Sequence, residues 1–574
     1  GDDVARADID IGVELARCAD TGRLLALFQA QQLRVSLPHV LSALDKMAEL
    51  LSQNRRARSG DVAFDELDGR LLDLLADTAM RFEADFDSKV CVDAMHPLKK
   101  LKSKSAARSR LMQALCNRLL SSISTCDIDG VVVLLSSLSD MKSSERPDSF
   151  QEAICVQIIN VAPMCNVPQV SGILYSLAKL GIRGQPHVMR TLSARVTQLI
   201  DDHDRTAADP AALSNIFWAF ATLQERPETS VSRALLAQLK DCGIDSSTAI
   251  KPHHVSNVLW SLALLDITSD LSIFDFLAQQ TKRGLWKSYT PEFISNSMFA
   301  HAKLQGRVPV DSGLVQVLTR RALETMRSFS SGQLGNLFWA LAILRNDVQA
   351  DPRLLDVMCE RAMEFEVDSL QKEQVSGIMW SISELHKHET VPFLPSILPP
   401  AVDHLMLQLA CGLPKFAGSA SPRFLVQTLH SMATVSIWNF GHVEDDTTYV
   451  RRVHRESAVL HRDVRRVDRA RLEIFGVYAA RALEVVHEFE ALELETMLWS
   501  LRALSFDVGA DLLAAFSQRM ACIGYLHLNV VDVLWTHAFL WVMPEQALLV
   551  DLEKHAEAWS AAEDLELVSV TRLL

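Results

Sequence analysis

The chain reads as all-α: an α-solenoid of stacked helical hairpins with a period of about 40 residues. Three observations predict this. One Trp-centred motif recurs in register along most of the chain. Its apolar residues follow the helical period. Glycine and proline, 22 and 19, are too few for a turn-dense β architecture.

The motif is carried by six of the ten tryptophans, against only five tyrosines in the chain. The segments are LSNIFWAFATLQ (213–224), VSNVLWSLALLD (255–266), LGNLFWALAILR (334–345), VSGIMWSISELH (375–386), LETMLWSLRALS (494–505) and VVDVLWTHAFLW (530–541). Three more place another ring at the same point: VSGILYSLAKLG (170–181), ISNSMFAHAKLQ (294–305) and LVQTLHSMATVS (425–436). The anchors are then Tyr175, Trp218, Trp260, Phe299, Trp339, Trp380, His430, Trp499 and Trp535, with gaps of 43, 42, 39, 40, 41, 50, 69 and 36. Relative to the anchor, apolar residues recur at −5, −2, −1, +2 and +5, the stripe of a half-buried helix. Small residues follow at +1 and often +3, as in Ala219 and Ala221 or Ala340 and Ala342, where a neighbouring helix can approach closely.

A second amphipathic segment follows each motif, for example VQVLTRRALETM (315–326) and LLDVMCERAMEF (354–365), so each repeat is a hairpin. One hairpin cannot bury its apolar face alone, and stacking follows. Upstream, IDGVVVLLSSLS (128–139) fits with Val133 at the anchor, while LPHVLSALDKMA (37–48) and CVDAMHPLKKLK (91–102) match more weakly. The array is expected to hold ten or eleven hairpins. The organisation read along the chain is 1–127, degenerate repeats with a basic segment at 97–110; 128–436, the regular array; 437–475, an acidic loop and Arg-rich insertion; 476–574, C-terminal repeats and cap. The gap of 69 before Trp499 calls for an insertion, or for one degenerate repeat plus a loop.

Composition removes other classes. With 57 Lys+Arg against 71 Asp+Glu the net charge is −14, so this is not a uniformly basic nucleic-acid binder. About half the residues are apolar and 22% are charged, which excludes wholesale disorder. No uncharged apolar run reaches the roughly 18 residues of a membrane span. The ten cysteines are scattered without a C-x-x-C and read as reduced and mostly buried. The chain opens at Gly1 with no recognisable transit peptide, so no targeting signal gives the localisation.

The run [LVI]-S-N-x-[LF]-W-[AS]-[LF]-A-x-L resembles the octotricopeptide repeats of algal organelles, the related heptatricopeptide repeats, and the helical array of FAST-kinase-like proteins. Asn215, Asn257, Asn296 and Asn336 with the following aromatic carry the match, with Ala221, Ala263, Ala302 and Ala342. It covers roughly residues 128–545. The resemblance implies an organellar α-solenoid that binds RNA: a factor that matures or stabilises a transcript, or a subunit of an organellar ribosome. Mitochondrion, or alternatively plastid, follows from the same resemblance. The period is longer than those repeat names denote. The closing VSVTRLL lacks the core of the RAP module frequent in such proteins, which argues against a nuclease.

Candidate sites follow. The anchor rings can stack on bases, but apolar neighbours at −1 and +2 assign them to the buried face, and Trp260→Ala is expected to cost roughly 3–5 kcal/mol. The four Asn lie one turn earlier. They can read base edges, though a hydrogen-bonded ladder between hairpins is the favoured reading. PLKKLKSKSAARSR (97–110) holds Lys99, Lys100, Lys102, Lys104, Arg108 and Arg110 and no acidic residue, which suits phosphate contact; a solvated loop is the alternative. In 451–471, Arg451, Arg452, Arg455, Arg462, Arg465, Arg466, Arg469 and Arg471 suit phosphate clamping. Glu456, Asp463 and Asp468 equally permit salt bridges along a helix there. HKHE (386–389) and DDHD (201–204) lack metal-type partners at motif spacing, and no nucleophile elbow, Walker A or dinucleotide loop occurs. The sequence thus predicts no enzyme, no metal, no cofactor and no small-molecule substrate. The partners expected are RNA, ribosomal RNA above all, and neighbouring proteins of a ribonucleoprotein. The function expected first is a mitochondrial ribosome subunit that binds and stabilises ribosomal RNA. A trans-acting factor for one organellar transcript and a protein-only scaffold are the alternatives.

Overall fold

A computed structural model describes residues 11–31, 34–57, 66–101, 105–141, 146, 150–183, 185–201, 209–244, 250–283, 288–346, 351, 353–386, 400–435, 473–504 and 509–523. Among them every regular element is helical and no strand occurs. The chain divides into two compact units, Gly1–Leu277 and Ala278–Leu574.

In the first unit the anchor helices are α3 (Leu37–Ala57), α5 (Ser88–Lys100), α7 (Ile128–Asp140), α9 (Val167–Leu180), α11 (Pro210–Leu223) and α13 (Pro252–Leu264). Each packs on the next, forming one layer. The second helices are α2 (Thr21–Ala30), α4 (Glu66–Met80), α6 (Ala106–Ser121), α8 (Phe150–Val161), α10 (Pro186–Asp201) and α12 (Thr229–Ile244), which form the other layer in the same serial order. A short helix, α1, spans 11–17, and α14 (Ser272–Arg283) contains the division.

The second unit repeats the plan. Its anchor helices are α15 (Pro291–Lys303), α17 (Ser331–Leu344), α19 (Lys372–His386), α22 (Pro422–Val435) and α24 (Ala491–Ala503). Their partners are α16 (Ser312–Thr325), α18 (Arg353–Met363), α20 (Pro400–Gly412), α23 (473–484) and α25 (Gly509–Ile523), with a one-turn helix α21 (Pro414–Ala417) before α22. The serial packing of anchor helices makes each unit an all-α solenoid.

Local chemistry fixes where each anchor helix starts. A buried apolar residue comes first: Phe86, Cys126, Cys165, Tyr289, Phe329, Leu370 or Phe489. A capping residue follows. The side chains of Asp87, Asp127, Asn166, Asp209, Thr290 and Ser330 accept the N–H three residues on. The residue at that third position often bonds back to the cap's own N–H: His39, Gln169, His254, Gln333, Gln374 and Glu493. Counting nine residues from the cap lands on every anchor from Tyr175 to Trp499.

The same count corrects two upstream registers. It puts Ser136, not Val133, at the anchor of α7, 40 residues after His96 in α5 and 39 before Tyr175. In α3 it lands on Asp45 rather than on Ser42, the sixth residue of LPHVLSALDKMA. An apolar stripe can be slid by one helical turn without losing its matches, whereas a cap cannot.

Helix α22 packs directly on α24 across the gap of 69. Residues 436–472, between α22 and α23 in the sequence, lie outside the described residues. So do HKHE after His386, DDHD after Asp201, and the last motif with Trp535.

Candidate nucleic-acid interface

The anchor helices bury their −5, −2, −1 and +2 positions, as Leu213, Ile216, Phe217 and Phe220 show around Trp218. The +1 residue is also enclosed. Ser261, Ser381, Ser431 and Ser500 are 0% exposed, and their hydroxyls donate to the carbonyl one turn back at 2.6–2.7 Å. The anchors themselves are different. Tyr175, Trp218, Trp260, Phe299, Trp339, Trp380, His430 and Trp499 are all half-buried, where their apolar neighbours predict full burial. The ring sits at the edge of the apolar stripe, so one side of it packs and the other meets solvent.

Asn215, Asn257, Asn296 and Asn336 lie on the same edge and are half-buried as well. None of the four amides has a hydrogen-bond partner among the described residues. The expected ladder between hairpins is therefore absent among the described residues. The indole N–H groups of Trp218, Trp260, Trp339, Trp380 and Trp499 are likewise unpaired among the described residues.

Along this row the rings meet at some steps only. Centroids lie 5.0 Å apart for Tyr175 and Trp218, 5.1 Å for Phe299 and Trp339, and 4.9 Å for His430 and Trp499. No ring contact joins Trp218 to Trp260 in the first unit, or Trp339 to Trp380 in the second.

Cations border the row. Lys179 lies 5.7 Å over the Tyr175 ring and pairs with Asp140 at 2.9 Å. Arg183 and Arg226 are exposed just past the ends of α9 and α11 and donate to the Thr222 and Asp266 carbonyls, each in the following repeat. Arg345 stands past the end of α17, donating to Ala342 at 2.7 Å and facing Glu384 at 3.6 Å.

The basic segment 97–110 is divided by the fold. Lys99 is half-buried at the end of α5, donates to the Ser136 hydroxyl, and is pulled below the usual lysine range chiefly by burial. Arg108 donates twice to the Leu98 carbonyl, at 3.1 and 2.9 Å, closing the end of α5. Arg110 pairs with Asp77 at 3.0 Å. Lys100 is exposed on α5, and Lys102 and Lys104 lie outside the described residues. Arg451, Arg452, Arg455, Arg462, Arg465, Arg466, Arg469 and Arg471 lie outside them too.

One recurrent feature escapes the sequence reading. In each of several hairpins the second helix sends an arginine back to the carbonyl just before the anchor-helix cap. The pairs are Arg118 to Phe86, Arg195 to Cys165, Arg321 to Tyr289, Arg361 to Phe329, Arg481 to Ala420 and Arg519 to Phe489, at 2.7–3.2 Å. Gln157 does the same for Cys126 at 2.8 Å. The signal is visible as RALE at 321–324 and 481–484 and RAME at 361–364, whose Glu pairs with the same Arg.

No protein-family model matches the chain, and no curated protein does. Solved structures do. A homology model of the full-length AP-3 complex in an intermediate open conformation matches at 13% identity and a TM-score of 0.22, over 95% of this chain and 86% of that one. Yeast Rmd9p in complex with a 16-nucleotide target RNA matches at 12% and 0.25, over 92% and 88%. A crystal structure of a Kap121p mutant matches at 13% and 0.23, over 100% and 58%. At such identities and scores the partners of those proteins are not carried to this chain.

Proposed function

We propose that the chain is an organellar RNA-binding helical-repeat protein without catalytic activity, and that it serves as a mitochondrial ribosome subunit gripping ribosomal RNA. The observation that carries the RNA-binding reading is the anchor face. It repeats half-exposed aromatic rings, and Asn amides and indole N–H groups unpaired among the described residues, along each unit, bordered by Lys179, Arg183, Arg226 and Arg345 in a chain of net charge −14. Rings offer stacking to any base and amides offer donor and acceptor together. Cations at the border suit the phosphates. The octotricopeptide-like motif supports the organellar and ribosomal part, with plastid as the other organelle. The regular recurrence of the face favours one second reading, a trans-acting factor that follows a single transcript.

Ultraviolet cross-linking of the tagged endogenous protein, with sequencing of the RNA that co-purifies, tests this. Dominant ribosomal RNA is the expected result. One enriched messenger supports the transcript-specific factor. RNA at background level overturns both and leaves a protein scaffold.

A further inference from the structure

We propose that single-stranded RNA inserts bases at the open steps of the anchor row, between Trp218 and Trp260 in the first unit and between Trp339 and Trp380 in the second. This rests on the RNA-binding reading and adds the class of RNA and the residues that hold it.

The two kinds of step differ in what a base would meet. Tyr175–Trp218, Phe299–Trp339 and His430–Trp499 are ring pairs already in contact near 5 Å, with no room for a third ring between them. Trp218–Trp260 and Trp339–Trp380 have no such contact, so the two rings of each of these steps do not pack on one another, and all four keep part of their surface exposed. Both members of each open step are tryptophans, the largest stacking surfaces in the chain.

The surroundings favour a nucleobase over an apolar side chain. Asn215 and Asn257 stand one turn before the two rings of the first open step, with their amides unpaired. At the second, Asn336 precedes Trp339, while Gly377 takes the matching place before Trp380. A Cβ added at Gly377, or at Gly335 beside Asn336, would meet nothing within 4 Å. Open space, a carboxamide and two indoles are what an unstacked base needs: a planar sandwich and a partner for its hydrogen-bonding edge.

Charge selects the strand. Lys179, which pairs with Asp140, and Arg183 and Arg226 border the first row, and Arg345, which faces Glu384, the second. Each guanidinium has five N–H donors, and the carbonyl bonds of Arg183 and Arg226 use only part of them. A basic peptide laid on the same row would meet these cations, so the geometry favours a polyanion. A duplex, whose bases are stacked internally, cannot supply the inserted ring.

The test uses the full chain, a fluorescein-labelled oligouridine, an RNA hairpin of the same length and an oligolysine peptide. The expected result is preferential binding of the single strand with quenching of tryptophan fluorescence. Trp260→Leu with Trp380→Leu, whose rings belong to no closed pair, should weaken binding by roughly tenfold or more, in line with loss of base stacking. The Trp→Phe pair should recover most of it, and Trp499→Leu at a closed step should lose less. Where circular dichroism shows that a Leu variant fails to fold, Asn336→Asp serves instead. It keeps the shape, adds a negative charge at the open step, and should weaken RNA binding with an unchanged melting temperature. RNA binding that is equally affected by open-step and closed-step variants, or that prefers the hairpin without quenching, overturns the insertion while the RNA-binding reading stands. Binding of oligolysine and of no RNA overturns both.

Discussion

Two regions of the hairpin formed by α17 and α18 treat polar groups in opposite ways. Where the second helix meets the start of the anchor helix, polar groups are matched. Arg361 donates twice to the Phe329 carbonyl, at 3.2 and 2.9 Å, and pairs with Glu364, beneath a fully buried Phe329 ring. On the anchor face, two to three helical turns further along the same hairpin, Asn336 and the Trp339 indole have no partner among the described residues. Satisfied groups hold the repeat together, because an unmatched buried donor or carbonyl costs about 1–3 kcal/mol. Unsatisfied groups that touch water cost nothing in the free protein and remain available to a ligand. The repeated tryptophan, the most visible residue in the sequence, belongs to the second region, and the unobtrusive arginine belongs to the first.

The comparison is sharpest at adjacent residues. Phe338 is 0% exposed while Trp339 is half-buried. Phe338→Ala should lower unfolding stability by roughly 3–5 kcal/mol, as enclosed aromatics do. Trp339→Ala should cost only about 1–2 kcal/mol. The same reduction applies to Trp260→Ala, whose ring is equally half-buried. Denaturant unfolding of the two variants side by side decides it. An equal loss for both would make the anchor a core residue and close the face to ligands.

A second contrast is titratable. Phe299 is half-buried, but His301, two residues on, is 6% exposed, and its Nε2 has no hydrogen-bond partner among the described residues. Burial pulls its pKa from 6.5 to about 4, with Asp311 acting the other way. The folded state then binds fewer protons than the unfolded state between those values. Stability is complete above the unfolded value and falls as pH drops toward the folded one, by roughly 2–3 kcal/mol for this group. His254, lowered to about 4 by burial and then by His253, acts in the same direction in the first unit. Urea unfolding near neutrality and again at about pH 5 should show the loss, and His301→Met should remove part of it. A flat wild-type profile would mean that the ring is protonated in place.

The arginine bonds give the smallest of the three effects. Arg361→Met should cost about 2 kcal/mol by leaving the Phe329 carbonyl without its charged donor. Arg353→Met, which breaks only an exposed pair with Asp351, should leave the unfolding transition unchanged. Matching losses for the two would demote the recurrent arginine to an ordinary surface charge.

The fold was legible because the motif carries its own period. Apolar residues at −5, −2, −1 and +2 specify a helix and its buried stripe, and their return every 39–43 residues between Tyr175 and Trp380 specifies stacking. The candidate site was less so. Lys99, Arg108 and Arg110 stand out as a basic run, yet the fold gives all three intramolecular partners, which sequence neighbours could not reveal. Conversely, Asn215 and Asn257 looked like structural residues because they recur with the core motif.

What the sequence determined by itself is the helix and its period, since the apolar stripe depends on residues within a few turns of each other. Tertiary packing decided the rest. Whether the anchor ring is enclosed depends on how closely the next hairpin approaches, some 40 residues away in sequence. Whether an arginine caps a carbonyl depends on a contact 30–32 residues long in most hairpins and 61 residues long where 436–472 is inserted. Local periodicity fixes which side of a helix is apolar, but the edge of that side is shared between core and solvent, and only the neighbouring helix draws the line.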